Sequence, residues 1–267
     1  MLSRFVGAIG SLLLLLAVAA AGPAASNAPT RMRLQYAGYL VDAPVLDVRL
    51  DITLDGFPGA YRMSFSSGLV GALGDLIPFH MKASSQGLDD DPMPQPSSYH
   101  SQISLYDNVQ SVSLAYGTNG SVALNDDPPT EEGQAAVERG LLAGTVDPLS
   151  AALAIVERSS EAERCEGQYR IFDGARRYDL SLSPAPSGLT APRIPAVPGA
   201  EPFACDAAVH LVSGFPQYAI DAGMYPTTAR FWLSRAVVGS APALLRLEAE
   251  SGLGRMRVDL RAILPGS

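Results

Sequence analysis

Residues 46–54 read Leu46-Asp47-Val48-Arg49-Leu50-Asp51-Ile52-Thr53-Leu54, with every even position apolar and every odd one polar. A period of two belongs to an extended chain, so the segment predicts a strand with one face in a core and the other in water. Gly56-Phe57-Pro58-Gly59 then turns the chain. Tyr61, Met63 and Phe65 alternate with Arg62, Ser64 and Ser66, which completes a hairpin.

The C-terminal region repeats the scheme. Leu245, Leu247 and Ala249 alternate with Arg246, Glu248 and Glu250, and the chain turns over 251–254. Met256, Val258, Leu260 and Ala262 then alternate with Arg255, Arg257, Asp259 and Arg261. Weaker strands are predicted near 34–40, 77–84, 99–106, 110–117, 120–124, 167–172, 176–183, 204–213 and 228–235. Asn119-Gly120-Ser121 has the form of a glycan acceptor but reads as a turn between strands. The fold class that follows is mainly β: a large antiparallel sheet curled into an open or spiral barrel, one face wet. One or two short helices belong on its concave side. A segment over Gly68–Ile77 is apolar but interrupted by Gly71 and Gly74. The second, after Asp147-Pro148, is better marked: Asp caps, Pro occupies the first helical position, and Leu149, Leu153 and Val156 form a stripe through Arg158. Loops are expected over Asp89-Asp90-Asp91-Pro92-Met93-Pro94-Gln95-Pro96, Asp126-Asp127-Pro128-Pro129 and the Pro-rich stretch 184–202.

Ahead of these strands, Arg4 precedes an apolar run from Phe5 to Ala21 that ends in small residues. This is the pattern of a secretory signal peptide over residues 1–25, cleaved after Ala21 or Ala25, with an uncleaved anchor as the alternative. No Cys follows the run, so a lipoprotein is not expected. A single β domain over 30–267 then resides in the periplasm, with no stable membrane anchor after cleavage. Removing Arg4 leaves 18 basic against 27 acidic residues, a balance of −9, which argues against nucleic acid as a partner. Of the 19 basic residues only Lys82 is a lysine. In an oxidising compartment the two cysteines, Cys165 and Cys205, are expected to form a disulfide. Both fall on the apolar side of their strands, and the closed loop of about 40 residues contributes roughly 2 to 4 kcal/mol.

The run Gly144-Thr145-Val146-Asp147-Pro148-Leu149-Ser150-Ala151, then Cys165, Phe172-Asp173-Gly174-Ala175-Arg176-Arg177-Tyr178-Asp179-Leu180 and Cys205 resembles an exported bacterial family, domain-of-unknown-function family 3108. The resemblance extends from about Tyr36 to Leu264, takes in the Gly68-Leu69 turn and the Pro94 loop, and departs at Ala175, where Arg is expected. The family has no established activity, so the resemblance implies location and fold. In outline it is similar to periplasmic envelope-integrity β-spiral proteins and to lipoprotein carriers built as open barrels.

No H-E-x-x-H, G-x-S-x-G or S-x-x-K motif is present, so no catalytic residue, metal site or cofactor is predicted. His80, His100 and His210 are widely separated, and the Asp89–Asp91 run lacks calcium-loop spacing. Two sets of residues remain as candidates. Asp173, Arg176, Arg177, Tyr178 and Asp179 crowd four charges around one turn. They read either as a docking patch or as a plain hairpin with Tyr178 inward and Arg177 and Asp179 outward. Tyr36, Tyr61, Phe65, Tyr116, Leu149, Leu153 and Trp232 would line a concave pocket for a lipid-like or peptide ligand, unless the core is simply filled. The expected function is a non-enzymatic periplasmic protein that binds a hydrophobic ligand or an envelope protein in support of envelope integrity. The alternatives are an envelope- or wall-acting hydrolase using Asp173 and Asp179, and a structural partner docking through Arg176-Arg177.

Overall fold

A computed structural model describes residues 29–56, 59–89, 93–127, 137–162, 164–193, 202–238 and 241–266. The expected signal segment, Asp90-Asp91-Pro92, Pro128-Pro129 and residues 194–201 of the Pro-rich stretch lie outside the described residues. Among them, thirteen strands form one antiparallel sheet. They are β1 Thr30–Leu40, β2 Ala43–Asp55, β3 Gly59–Leu69, β4 Phe79–Asp89, β5 Gln95–Leu105, β6 Asn108–Tyr116 and β7 Val122–Asp127. The second half supplies β8 Gly167–Phe172, β9 Arg177–Pro184, β10 Pro202–Ser213, β11 Thr228–Val238, β12 Ala241–Ser251 and β13 Gly254–Pro265. Spatial order is β7-β6-β5-β4-β3-β2-β1-β13-β12-β11-β10-β9-β8: two meanders joined where β1 pairs with β13.

The alternation in the sequence becomes the two faces of this sheet. Leu46, Val48, Leu50, Ile52 and Leu54 are buried, and opposite them on β3 lie Tyr61, Met63 and Phe65, also buried. Asp47, Arg49 and Asp51 face outward. Each apolar side chain removed from water contributes about 1.5 to 3 kcal/mol. A register slip of one residue would turn this whole set outward, so the pattern fixes the pairing.

The sheet curls but does not close by strand pairing: β7 and β8 are its two edges. A short strap fastens the gap. Gly144 N donates to Gly120 O (3.1 Å) in the β6–β7 turn, while Val146 N donates to Arg170 O (2.9 Å) and Phe172 N to Val146 O (3.0 Å) on β8. Between the edges the tip of the β8–β9 hairpin reaches across, with Gly174 against Val112 of β6.

Helix α1 spans Gly71–Leu76 and α2 spans Pro148–Ala162. The expected helix over Gly68–Ile77 is corrected at its start. Gly68 and Leu69 still pair with Asp47 and Leu46, and Gly68 also with His80, so they end β3 instead of forming a turn or helix. Gly71, at φ 62°, makes the break. A third short helix, α3 (Gln217–Asp221), has too few residues to show a period and is not visible in the sequence.

Helix α2 fills the curl. Leu149, Ala151 and Leu153 have no exposed surface, and Ala152, Ala154, Ile155 and Val156 are buried around the rest of the circumference. A helix that is apolar all round belongs in a core. This one packs against β4, β8, β11 and β12. The Cys165–Cys205 disulfide joins the segment leading into β8 to β10, spanning the intervening β9, with Cα atoms 5.2 Å apart and both residues buried.

Candidate functional site

Three places bring chemistry-bearing side chains together: the helix start inside the barrel, the β8–β9 turn, and the outer wall of β1–β7.

Inside, Asp147 caps α2, as its position before Pro148 predicts. Its Oδ1 accepts from Leu149 N and Ser150 N, both at 3.0 Å. Its Oδ2 accepts from Ser85 Oγ on β4 (2.9 Å) and from Ser150 Oγ. Tyr61 Oη lies 2.6 Å from Ser150 Oγ, and the two serine hydroxyls are 3.0 Å apart. The four side-chain contacts have only three hydroxyl hydrogens between them. A carboxyl proton, when Asp147 holds one, supplies the missing hydrogen. Complete burial acts in the same direction, pushing the Asp147 carboxyl above the usual carboxylate range because desolvation penalises its charge. Burial also raises the Tyr61 phenol, with Asp147 adding to the effect. Sequence reasoning found the cap but missed Ser85 and Ser150. No local signal could pair Ser85 with a residue 62 positions away. The network is sealed, since Asp147 and Ser150 have no exposed surface.

The β8–β9 turn is buried as well. Asp173 Oδ1 accepts from Ala175 N (2.9 Å) and Arg176 N (2.7 Å), and Asp173 pairs with Arg176 at 3.6 Å. The Arg176 guanidinium lies 5.6 Å from the Tyr225 ring centroid. Arg177 was expected on the outer face, and the structure corrects this: it is 2 % exposed. The Leu141 segment meets it. Arg177 Nε donates to Leu141 O (3.2 Å), its Nη1 to Tyr178 O (2.6 Å), and the same nitrogen pairs with Asp179 at 2.7 Å. Tyr178 faces inward as expected, and burial raises its phenol. The four charges of this turn are therefore neutralised within the molecule.

The expected pocket residues come together in the core. Tyr36, Tyr61, Phe65, Leu149, Leu153 and Trp232 are buried, and Tyr116 is half-buried and packed against them. Tyr36 donates to Leu244 O (3.1 Å) and Trp232 Nε1 to Glu248 (3.3 Å).

Open space lies instead on the outside. A groove of about 760 Å³ crosses β2–β7, lined by outward residues including Thr53, Arg62, Ser84, His100, Ser113 and Asn125. A second, of about 410 Å³, crosses β13, β1, β2, β3 and β4, lined among others by Arg261, Gln35, Arg49, Ser66, His80 and Lys82. A smaller one of about 330 Å³ overlaps both, through Ser64, Ser84 and His100 on one side and Ser66 and Lys82 on the other. The histidines are not gathered into one centre: His100 bonds Ser113 (3.0 Å), His80 lies in the second groove and His210 is exposed on β10. Among the described residues no group of three His, Cys, Asp or Glu side chains could hold a metal ion, and no helix is long and apolar enough to cross a membrane.

No family model and no curated protein matches the chain. A similar solved structure is a β-barrel-like protein of domain-of-unknown-function family 1849 from Brucella abortus. It is 14% identical, with a TM-score of 0.52, over 89% of this chain and 98% of that one. At that identity the likeness is one of fold. This chain is a β-barrel-like protein built on one curled, unclosed antiparallel sheet.

Proposed function

We propose that this protein is an exported, non-enzymatic binding module of the cell envelope that meets its partner on the outer wall of β1–β7. The single observation that carries this reading is where space and filling are found. The interior is occupied by α2, whose Leu149 and Leu153 are wholly buried, and the grooves run along the outer face. An apolar ligand held inside would have to displace a fifteen-residue helix capped by a buried aspartate. Export is supported by the Phe5–Ala21 run, by the cysteine pair and by the resemblance of the Gly144–Cys205 segments to family 3108. A hydrolase would need two carboxylates facing a cleft with separated affinities for protons. Asp173 is instead bonded to its own turn, and Asp179 is paired with Arg177.

The test has two arms. Purified without detergent from its native host, the mature chain carries no lipid or peptide by native mass spectrometry; a stoichiometric apolar passenger would reverse the reading. A photocrosslinker at Ser84 or Ser113 gives discrete adducts in cells, and the same group at Ser181 on β9 gives none. Equal labelling from both halves of the sheet would remove the assignment to the β1–β7 wall.

A further inference from the structure

We infer that the groove across β13, β1, β2, β3 and β4 is a binding site for a phosphate ester, an inference that rests on the outer wall being the working surface. The register places one row of outward side chains across it. Gln35 stands opposite Arg49, Arg49 opposite Ser66, and Ser66 opposite Lys82, with Arg261 at the bulge where β13 pairs with Gln35. Cations thus alternate with small or neutral groups. Neighbouring strands are about 4.8 Å apart, so Arg49 and Lys82 stand roughly 10 Å from each other with only a serine between. That gap suits a tetrahedral anion seated over Ser66, reached from both sides by long side chains and from below by the hydroxyl. His80 shares the face, two residues before Lys82. Gly68 makes room for it: a Cβ at position 68 would come 2.9 Å from the His80 Nδ1.

The charge pattern sets this groove apart. Four arginines of β11–β13 are matched. Arg230 binds Asp206 through two bonds of 2.6 and 2.9 Å, Arg246 and Arg257 share Asp259, and Arg255 pairs with Asp42. Among the described residues no carboxylate pairs with Arg49, Lys82 or Arg261, and the Arg261 guanidinium lies 5.3 Å from the Tyr39 ring centroid. Asp47 is the one acidic residue lining the groove. A chain of net charge −8 that places its sole lysine at the end of a row holding Arg49 and Arg261 has a local positive field against its overall sign. Guanidinium, ammonium, hydroxyl and imidazole together offer more donors, from more directions, than one carboxylate can accept, which selects phosphate. The volume of about 410 Å³ exceeds what a bare phosphate fills, so the anion is carried on a polar body.

The probes are glycerol 3-phosphate by isothermal titration, glycerate as the carboxylate control, and vesicles of phosphatidylglycerol against phosphatidylcholine by co-sedimentation. The expected result is binding of glycerol 3-phosphate, of phosphatidylglycerol vesicles, or of both, weakened at least tenfold in Arg49→Ala and in Lys82→Ala. Arg139→Ala, an exposed cation outside the groove, serves as the charge control and leaves binding unchanged. Soluble ester alone identifies a free ligand, and vesicles alone identify a lipid headgroup. Neither variant removes an internal ion pair, so unfolding midpoints stay at the wild-type value and any loss is read as binding. No binding of either phosphate probe, equal binding of glycerate, or equal weakening by Arg139→Ala would overturn the inference. The crosslinking from Ser84 and Ser113 stands or fails independently of it.

Discussion

Gly174 at the tip of the β8–β9 hairpin touches Val112 on β6 so closely that a Cβ built on the glycine would fall 2.0 Å from Val112 Cγ1. The contact joins elements from opposite ends of the sheet. Gly174 also has φ 98°, a conformation that side chains with a Cβ rarely adopt. Gly174→Ala should therefore lower stability by about 3 kcal/mol, from backbone strain and steric overlap together. In a Val112→Ala background the same change should cost about 1 to 2 kcal/mol less, because only the strain remains. Urea unfolding of the four proteins in the cycle measures the difference. Strict additivity would show that the seam is not held at this point.

Arg177 is buried with three acceptors around it, so removing its side chain leaves Asp179 without this partner and frees the Leu141 carbonyl. Arg177→Ala should cost about 1 to 3 kcal/mol, the scale for leaving a buried carbonyl without its donor, since Asp179 itself reaches water. Arg177→Lys should recover less than half of that, because an ammonium lacks the planar fork that serves two carbonyls and a carboxylate. Thermal unfolding distinguishes the two variants. Hydrogen exchange should report earlier opening over residues 139–146.

Asp147 predicts an unusual pH dependence. Its folded carboxyl holds a proton above the usual carboxylate range, whereas the unfolded chain releases it near the ordinary value of about 3.9. Between those two points the folded state binds more protons, so this group's contribution is full below the unfolded value and declines as pH rises through the folded one. Asp147→Asn retains an acceptor for Leu149 N and Ser150 N and supplies an amide hydrogen to the serines at every pH. Relative to wild type the Asn variant should therefore gain stability as pH is raised from 3.5, read by denaturant midpoints along a pH series. A flat difference would show that Asp147 titrates normally.

The disulfide closes a loop with a sequence separation of 40. Reduction, or Cys165→Ala with Cys205→Ala, should lower stability by about 4 kcal/mol, chiefly through the unfolded chain. The segment 164–167 would then be the first part of the β8–β10 region to open, which limited proteolysis with and without reductant would reveal. An unchanged cleavage rate would argue that the β8–β9–β10 ladder holds this corner unaided.

The elements legible in the sequence are those whose burial alternates. Leu46–Leu54 and Leu245–Ala262 show their strands outright, and the weaker strands came within a few residues of their bounds. Their ends were short because the strands continue through Gly59, Asp89 and Gln95, residues that carry no apolar signal. Parity placed both sulfurs inside, and Asp147-Pro148 located the start of α2. What remained hidden depends on distant partners. Arg177 faces outward by parity, yet it is buried and bonded to the carbonyl of Leu141, 36 positions away. The outer groove needs the Gln35–Arg49–Ser66–Lys82 register together with Arg261 near the other end of the chain. The strap at 144–146 is too short to have a period at all.

Because β1 pairs with β13, the middle of the finished sheet is assembled from the first and last strands of the domain. During synthesis β1 to β7 can zip together hairpin by hairpin as each emerges, yet one edge of β1 stays bare until residues 254–265 have been made. Such a long-range join is slow to form, and a bare edge invites pairing with a neighbour. A nascent chain stalled before residue 254 would therefore present Met32, Leu34 and Tyr36 on an unprotected strand, and a chaperone on the assembly route would be expected to recognise that edge.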